Sequence, residues 1–374
     1  MNDPTAKAML DLAARAAFRG MGNVEPNPLV GCVIVRPGAE PVHERVIGIG
    51  HHRVYGGPHA EVDALARCRA LGNDPTGATA YVTLEPCNGH GKNPPCVKAL
   101  VEARIAKVVC AARDETDGKG HGAAALRAVG IPCEFTSVSQ RATDLSEPWR
   151  HRMRTRLPWV IAKWAQTIDG KLATGSGDSK WISNERSRLR VHRIRAAVDA
   201  VMVGGRTVEV DDPMLTARGV PLRRRATRVV VSPSAGLALD RVLAATAPEH
   251  ATVLVCGANC GEGAAAAGVK LLRIAEHERS DWLRDALVAL RREHGVHTLL
   301  VEGGARLLGG LIARGLVNEA HVHTGPVVLG DGNGSGSINS GEAELARVGD
   351  GQRWRLLSVR RAGDDVQSVY RRRP

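Results

Sequence analysis

One imidazole and two cysteine sulfurs constrain this chain more than any other feature of its sequence. His59 lies in the segment GPHAE, Cys87 ends the segment LEPC, and Cys96 ends the segment PPC. Three such ligands leave a tetrahedral Zn²⁺ with one open position for water, which is typical of a catalytic site and not of a closed structural site. The chain must therefore fold so that three residues distant in sequence meet at one point.

Glu61 follows His59 by two positions, so on a regular helix their side chains would point about 200° apart. We therefore expect the metal pocket at the N-terminal end of a helix that starts near Ala60. Cys96 also begins a predicted helix, after two prolines that suit a helix entry. The positive ends of both helices would lower the pKa of the thiols and of a zinc-activated water. Glu61 would carry protons, and the set resembles that of nucleobase deaminases, which predicts hydrolytic deamination of an aminopyrimidine.

The 374 residues are enough for two domains of ordinary size. In the first part, helices alternate with short apolar strands, which favours an α/β sheet with helices on its faces. The predicted helices are Lys7–Phe18, Ala60–Ala70 and Cys96–Ala103, and the predicted strands are Val30–Val35, Ala80–Leu84 and Lys107–Ala111.

A polar, basic stretch between Ser139 and Pro158 predicts the domain boundary. We expect a first domain at 1–145, a basic linker at 146–157 and a second α/β domain at 158–374. The strands expected in the second domain are Trp159–Trp164, Ala200–Val203, Arg228–Val231, Thr252–Cys256 and Thr298–Val301. The segment GDGNGSGSINSG, residues 330–341, is predicted to be a flexible loop.

The formal charge of +12 would suit a polyanionic partner if the basic residues formed one face. They fall instead in local runs without interleaved aromatic residues, so we expect a solvated face or small phosphorylated ligands and no nucleic-acid partner. No apolar stretch approaches the roughly 20 residues that span a bilayer. The eight cysteines are irregularly spaced and no secretory leader is evident, so we expect reduced thiols and a cytoplasmic location.

Several further motifs occur in the order typical of one family. The loop between the two zinc cysteines is longer than in ordinary cytidine deaminases. The chain resembles the bifunctional riboflavin-biosynthesis deaminase/reductase family through PNPLVGCVIV (26–35), CNGHGKNPPC (87–96), DGK (169–171), SKWIS (179–183), DDP (211–213), VEGG (301–304) and GLVNE (315–319).

The resemblance implies a cytidine-deaminase-like α/β/α sandwich followed by a dihydrofolate-reductase-like α/β domain. The first would deaminate 2,5-diamino-6-(5-phosphoribosylamino)pyrimidin-4-one with Zn²⁺. The second would use NADPH to reduce the ribosyl chain of 5-amino-6-(5-phosphoribosylamino)uracil to ribityl. The resemblance also implies a homodimer or a higher homo-oligomer.

Carried over position by position, the resemblance assigns binding residues in both domains. Asn27, held between two prolines, would bind the pyrimidine, with His51 and Lys92 as further candidates; a plain turn and solvated loop residues are the alternatives. The reductase substrate set is Lys163, Ser179, Arg195, Leu215, Arg218 and Glu302. The NADPH set is Ala165, Trp181, Thr207, Asp211 and Gly304. Lys163 would supply a positive charge near the ribose, or it would extend its amine from a strand edge towards water.

Departures from the family pattern leave two alternatives. Asn88-Gly89 stands where Ser-His is common after the first zinc cysteine, and Gln166-Thr167-Ile168-Asp169 replaces a more usual Ala-Ser-Leu-Asp. The chain could therefore be a deaminase with an inactive reductase domain. The basic charge leaves an RNA-binding protein or an RNA deaminase as the second alternative.

Overall fold

The chain forms two compact units, residues 1–156 and 157–374. The computed structural model describes residues 3–116, 120–234, 236–258, 262–275, 281–330, 338 and 348–373. Cys260 and nearly all of the loop predicted at 330–341 lie outside the described residues. Among those that are described, no helix is long and apolar enough to cross a membrane.

The first unit is built on a five-stranded sheet in its described part. Its strands are β1 (Gly31–Val35), β2 (Val46–His51), β3 (Thr79–Val82), β4 (Lys107–Cys110) and β5 (Cys133–Phe135). Its helices are α1 (Pro4–Ala17), α2 (Ala60–Ala70), α3 (Cys96–Glu102), α4 (Gly122–Ala128), α5 (Gln140–Leu145) and α6 (Glu147–Thr155), with a 3₁₀ turn at Phe18–Gly20. The strand order is β2-β1-β3-β4-β5, with β1 antiparallel to both neighbours and β3, β4 and β5 parallel.

Helices cover both faces of this sheet. Apolar residues of α1 and α5 pack against one face through Val33 and Tyr81, and α2, α3 and α4 pack against the other through Ile34 and Val82. Alternate residues of a strand point to opposite faces, so one short strand serves both cores. The arrangement is the expected α/β/α sandwich.

The edge strand β2 is absent from the predicted elements because glycines interrupt its apolar pattern, VIGIGH. The structure shows why a glycine is needed. A Cβ atom at Gly50 would lie 2.2 Å from the backbone nitrogen of Ala64 and 2.4 Å from the carbonyl oxygen of Ala60. The missing side chain therefore allows α2 to lie directly against β2, which brings the start of α2 close to the end of that strand.

Helix α6 occupies most of the segment 146–157, which the sequence predicts to be a basic linker without regular structure of its own. Trp149 is buried and packs with Met153 against Leu84. The basic residues of α6 do not repel one another, since Arg150 and Arg154 both form ion pairs with Glu115. Glu147 in the first turn of α6 also pairs with both arginines, so one compensating acid is local and the other, Glu115, lies 35 residues from Arg150 in sequence.

The second unit contains a nine-stranded sheet in its described part. Its strands are β6 (Trp159–Gln166), β7 (Ala200–Gly204), β8 (Thr227–Val231), β9 (Thr252–Cys256), β10 (Lys270–Arg273), β11 (Thr298–Glu302), β12 (Glu319–Thr324), β13 (Trp354–Ala362) and β14 (Asp365–Arg372). Its helices are α7 (Glu185–Arg195), α8 (Gly205–Asp211), α9 (Val242–Ala245), α10 (Glu262–Ala266), α11 (Trp282–His294) and α12 (Ala305–Ala313), with a 3₁₀ turn at Val348–Asp350.

The strand order of this sheet is β10-β9-β8-β7-β11-β6-β12-β14-β13. Neighbouring strands from β10 to β12 are parallel, and β14 is antiparallel to both β12 and β13. All five strands predicted in this unit are present. Strands β12, β13 and β14 were not predicted from the sequence because they carry many charged residues. They form one side of the sheet, and strands there do not need the continuous apolar runs of the parallel strands at its centre.

Candidate active sites

The three candidate metal ligands meet in the first unit. His59 Nδ1 lies 3.4 Å from Cys87 Sγ and 3.3 Å from Cys96 Sγ. All three ligand atoms lie within 4.8 Å of one another, and they are the one such group of metal-binding side chains among the described residues. One imidazole and two sulfurs at this separation suit a tetrahedral Zn²⁺ with one open position, so the residues present fit the metal.

Each ligand is held by a different local structure. His59 is the N-cap residue of α2, and Cys96 is the first residue of α3. The loop that carries Cys87 follows β3, and its conformation depends on the buried carboxylate of Glu85, which accepts hydrogen bonds from the backbone N–H groups of Asp114 (3.1 Å) and Ala123 (2.9 Å). Glu85 was not predicted to be a site residue. The only sequence feature that could have indicated it is its position beside Pro86-Cys87.

The two sulfurs share their protons unequally. The Cys96 thiol donates a hydrogen bond to Cys87, and together with His59 it lowers the pKa of Cys87 to about 4. The backbone N–H of Cys96, at the start of α3, also donates to Cys87 Sγ (3.4 Å). The pKa of Cys96 is raised because it is the donor of this pair and is buried.

Glu61 lies in the first turn of α2, at the end of the helix where the pocket was expected. Its side chain is buried, and burial together with the negative charge of Cys87 raises its pKa to about 7. A carboxyl group with such a pKa can both accept and release a proton near neutral pH, which suits a general acid–base.

His52 and Asn27 form a polar pair beside these residues. His52 Nδ1 donates to the carbonyl oxygen of Pro58 (2.9 Å), which leaves Nε2 as an acceptor for the Asn27 amide (3.1 Å). The ring centroids of His52 and His59 are 5.4 Å apart. Arg152, from the segment predicted as a linker, supports this loop by donating to the carbonyl oxygen of Pro26 (3.1 Å).

The structure does not bring His51, the histidine chosen from the sequence, to this cluster. His51 and His52 are adjacent at the end of β2, so their side chains leave the strand on opposite faces. His51 is instead part of a groove with Arg15, Arg19 and Arg53. His52, and not His51, therefore lies beside the metal ligand His59.

The loop between the zinc cysteines is attached to the segment that precedes His59. Asn93 donates to the carbonyl oxygen of Gly57 (2.8 Å), and the Lys92 ammonium lies 4.0 Å from the centre of the Tyr55 ring. Lys92 is thus held at the loop surface. His90, which stands one position beyond the usual place of the family's histidine, is exposed.

In the second unit, the candidate substrate residues gather around one ion pair. Arg195, the last residue of α7, donates to both oxygens of Glu302 at 2.5 Å and 3.0 Å, and their side chains are only 13% and 11% exposed. Lys163 on β6 pairs in register with Glu302 at the end of β11. Burial opposes ionisation of Glu302, but the charge and hydrogen bonds of Arg195 outweigh it and lower the carboxyl pKa.

Lys163 is partly buried beside the charged Arg195–Glu302 pair. Burial lowers its pKa, and the nearby Glu302 carboxylate partly opposes this shift. Arg195 also donates to the carbonyl oxygen of Thr216 (3.1 Å), which connects it to the segment containing Leu215. The backbone N–H of Arg218 donates to His192 Nδ1 (3.2 Å), which makes His192 an additional member of the site. Ser179 is exposed.

The candidate cofactor residues fall into two groups. Gly304 is the N-cap of α12, directly after β11, and the nearest atom to a Cβ built on it would be Thr207 Oγ1, at 3.7 Å. Backbone N–H groups at such a helix start suit a pyrophosphate, so these residues fit NADPH. Asp211, at the end of α8, lies 3.7 Å from the Lys180 ammonium.

Trp181 and Ala165 form the second group of cofactor candidates. Trp181 is 71% exposed, and the Arg188 guanidinium lies 4.4 Å from the centre of its ring. Ala165 pairs in register with His323 of β12, a buried histidine whose pKa is lowered to about 3 by burial and by the charge of Lys163. His323 was not predicted as a site residue, although it lies on the same strand pair.

Comparisons with known proteins assign both units. Residues 158–368 match the model of the RibD C-terminal domain, and residues 4–112 match the cytidine and deoxycytidylate deaminase zinc-binding region. The riboflavin biosynthesis protein RibD of Actinobacillus pleuropneumoniae is 36% identical, over 97% of this chain and 96% of the relative. The chain belongs to the RibD family.

Solved structures agree with this membership. RibD of Acinetobacter baumannii is 30% identical with a TM-score of 0.80, and the match covers 99% of each chain. A Thermotoga maritima protein named a diaminohydroxyphosphoribosylaminopyrimidine deaminase/5-amino-6-(5-phosphoribosylamino)uracil reductase gives the same identity, TM-score and coverage.

As a member of this family, the protein is a bifunctional deaminase and reductase of riboflavin biosynthesis. Its first unit has the cytidine-deaminase-like fold and the zinc-binding region, and its second unit is the NADPH-dependent RibD reductase. The predicted family, fold class and cofactors are confirmed. Because both units match over almost their whole length, neither a deaminase with a degenerate second domain nor an RNA-binding protein is favoured.

Proposed function

We propose that the first unit deaminates 2,5-diamino-6-(5-phosphoribosylamino)pyrimidin-4-one and that the second reduces the resulting 5-amino-6-(5-phosphoribosylamino)uracil. The observation that carries this proposal is the convergence of Glu61 and the Asn27–His52 pair on the three zinc ligands. Support for the substrates comes from the name of the Thermotoga maritima relative.

In the deaminase unit, His59, Cys87 and Cys96 would hold Zn²⁺. When bound, the metal polarises a water molecule and lowers its pKa. Glu61 accepts the proton of the attacking water and returns it to the amine that leaves as ammonia. The Asn27 amide, which the His52 ring positions, would bind the polar edge of the pyrimidine, and Lys92 lies on the loop at the mouth of the site.

In the reductase unit, the N-terminus of α12 at Gly304 and the Thr207 hydroxyl would bind the pyrophosphate of NADPH, and Asp211, Trp181 and Ala165 would lie along the rest of the cofactor. When bound, the cofactor would supply the hydride that reduces C1′ of the ribose. The Lys163 ammonium would donate a proton to the ring oxygen as the sugar opens, and it would take a proton back from water. Arg195 keeps Glu302 ionised, so that Lys163 has a nearby counter-charge.

The substrate phosphate is bound by the remaining members of the reductase set, which are Ser179, Arg218 and the backbone around Leu215. Arg218 and Ser179 are exposed, so they are free to approach a charged group at the entrance. Guanidinium groups form forked hydrogen bonds with phosphates, which is the reason for placing the phosphate at Arg218.

One assay tests whether the first unit deaminates and the second unit reduces. Zinc-replete protein is mixed with the phosphoribosylated diaminopyrimidine and NADPH, and ammonia and NADPH are followed in the same tube. Glu61→Gln should stop both signals, and addition of the deaminated product should restore NADPH oxidation alone. The proposal fails if Glu61→Gln releases ammonia at the normal rate, or if NADPH is oxidised at the normal rate without the deaminated product.

We further propose a homodimer or higher homo-oligomer in the cytoplasm, with domain boundaries near those expected from the sequence and without a nucleic-acid partner. The described cysteines are free thiols, which supports a reducing compartment. Light scattering of purified protein measures the assembly, and a monomer at micromolar concentration would contradict it. Titration with RNA at physiological salt tests whether the protein has a nucleic-acid partner.

A further inference from the structure

A groove on the outside of the deaminase unit has no role in either reaction. It has a volume of about 720 Å³ and runs along the edge strand β2, between α1 and α2. Small-molecule sites usually have volumes of about 300–1,000 Å³, so the groove is large enough for a nucleotide.

The groove is lined by both cationic and apolar side chains. Four arginines line it, and no carboxylate does. Arg53 is paired with Asp63 at 3.1 Å, whereas Arg15 and Arg67 form no hydrogen bond or ion pair with the described residues. Ile49, which is 37% exposed, and Leu71, which is 71% exposed, line the same groove. Such a surface favours a ligand with a negative charge and an apolar ring.

His51 supplies a second, independent observation. It is 8% exposed, lines the groove, and has no hydrogen-bond partner for its ring Nε2 among the described residues. Its Nδ1 lies 4.0 Å from Asp63. The ring therefore offers a polar atom to the groove from an almost fully buried position, and its pKa is lowered by burial and by the neighbouring Arg53.

The charge also decides which kind of occupant fits. A second copy of the chain placed with two-fold symmetry on this edge would bring two sets of four arginines together, which is unfavourable. An extended polyanion would need a longer basic track than one closed groove. The adjacent residue His52 faces the zinc ligands from the other side of β2, so the groove is separate from the deaminase substrate site.

We propose that this groove is a binding site for an aromatic phosphate monoester. Arg15 and Arg67 bind the phosphate, His51 hydrogen-bonds the ligand, and the ring packs on Ile49 and Leu71. The proposal does not depend on the residue roles assigned to the two catalytic sites.

The test is a fluorescence titration of the full-length, zinc-loaded protein with riboflavin 5′-phosphate, and calorimetry with adenosine 5′-monophosphate. At least one of the two should bind with a dissociation constant below about 1 mM, and inorganic phosphate should bind more weakly. Arg15→Ala/Arg67→Ala should weaken binding by roughly 10- to 100-fold, because two charge-assisted hydrogen-bond donors are lost. The matched variant Arg36→Ala/Arg69→Ala removes two exposed arginines outside the groove and should bind as the unmodified protein does.

Four outcomes would overturn the proposal. These are no binding of either ester at millimolar concentration, equal loss of binding in both double variants, undiminished binding in Arg15→Ala/Arg67→Ala, and tighter binding of inorganic phosphate or of RNA than of either ester. Retained ammonia release by Arg15→Ala/Arg67→Ala shows that the variant is folded, so a loss of binding is then specific to the groove.

Discussion

Replacing Glu302 by glutamine tests the electrostatic core of the reductase unit. The carboxylate accepts two hydrogen bonds from Arg195, at 2.5 Å and 3.0 Å, and both side chains are almost fully removed from water. Glutamine preserves the shape and one acceptor oxygen, but it leaves the largely buried Arg195 cation and the partly buried Lys163 cation without their anion.

The magnitude follows from this geometry. Loss of one partner of a buried ion pair costs about 3–5 kcal/mol. The retained amide oxygen offsets about 1 kcal/mol of this, since a neutral hydrogen bond is worth about that much. We therefore expect the free energy of unfolding of the second unit to fall by about 3 kcal/mol in Glu302→Gln. The exposed Glu209→Gln should change it by less than about 0.5 kcal/mol.

The substitution should also change the pH dependence of reduction. Burial lowers the pKa of Lys163 and the Glu302 charge raises it, so loss of that charge lowers it further. The lysine then becomes neutral at a lower pH, and the alkaline limb of the NADPH oxidation profile should move to lower pH. Ammonia release, measured separately, should be unchanged.

Denaturant unfolding followed by tryptophan fluorescence and a pH series of NADPH oxidation measure these effects. Glu302→Gln/Arg195→Met, which removes the buried Arg195 cation as well, should recover part of the stability. The reasoning is refuted if Glu302→Gln unfolds at the same denaturant concentration as Glu209→Gln and keeps the normal pH profile.

Three further predictions concern the deaminase unit. Glu61→Gln should lower ammonia release by about 10²–10⁴-fold while zinc content by mass spectrometry stays near one ion per chain, because the proton carrier is lost and the ligands are kept; loss of the metal would contradict this role. Cys87→Ser should lose both zinc and ammonia release, and chelation of the unmodified protein should reproduce the effect; a variant that retains full zinc would exclude Cys87 as a ligand. His52→Ala should raise the deaminase KM about tenfold or more, because the Asn27 amide that binds the substrate loses the acceptor that positions it, whereas His51→Ala should leave KM within about twofold; the opposite order would restore His51 to the site.

Much of the first unit could be predicted because its metal ligands and its proton carrier lie in short sequence segments. His59 with Glu61, and each cysteine with its preceding proline, belong to helix starts or to a loop whose geometry is local. The apolar runs of the parallel strands likewise predicted the centre of the second sheet, since strands buried on both faces need apolar residues at every position.

The choice between His51 and His52 could not be made in this way. A shift of one residue along a strand moves a side chain to the opposite face. Only the pairing of β2 with β1 and its close contact with α2 through Gly50 decide which imidazole faces the metal ligands. The same pairing places His51 in the outer groove.

Ion pairs between residues that are distant in sequence could not be predicted either. The basic residues of α6 predict a solvated linker, whereas in the structure Glu115 forms ion pairs with Arg150 and Arg154. Arg195 and Glu302 are 107 residues apart, yet they form the central ion pair of the reductase site. The sequence by itself determined the metal ligands, the central strands and the family, because these depend on local order. The tertiary structure decided which face each side chain occupies and which distant charge it meets, because burial and Coulomb energies depend on distance in space.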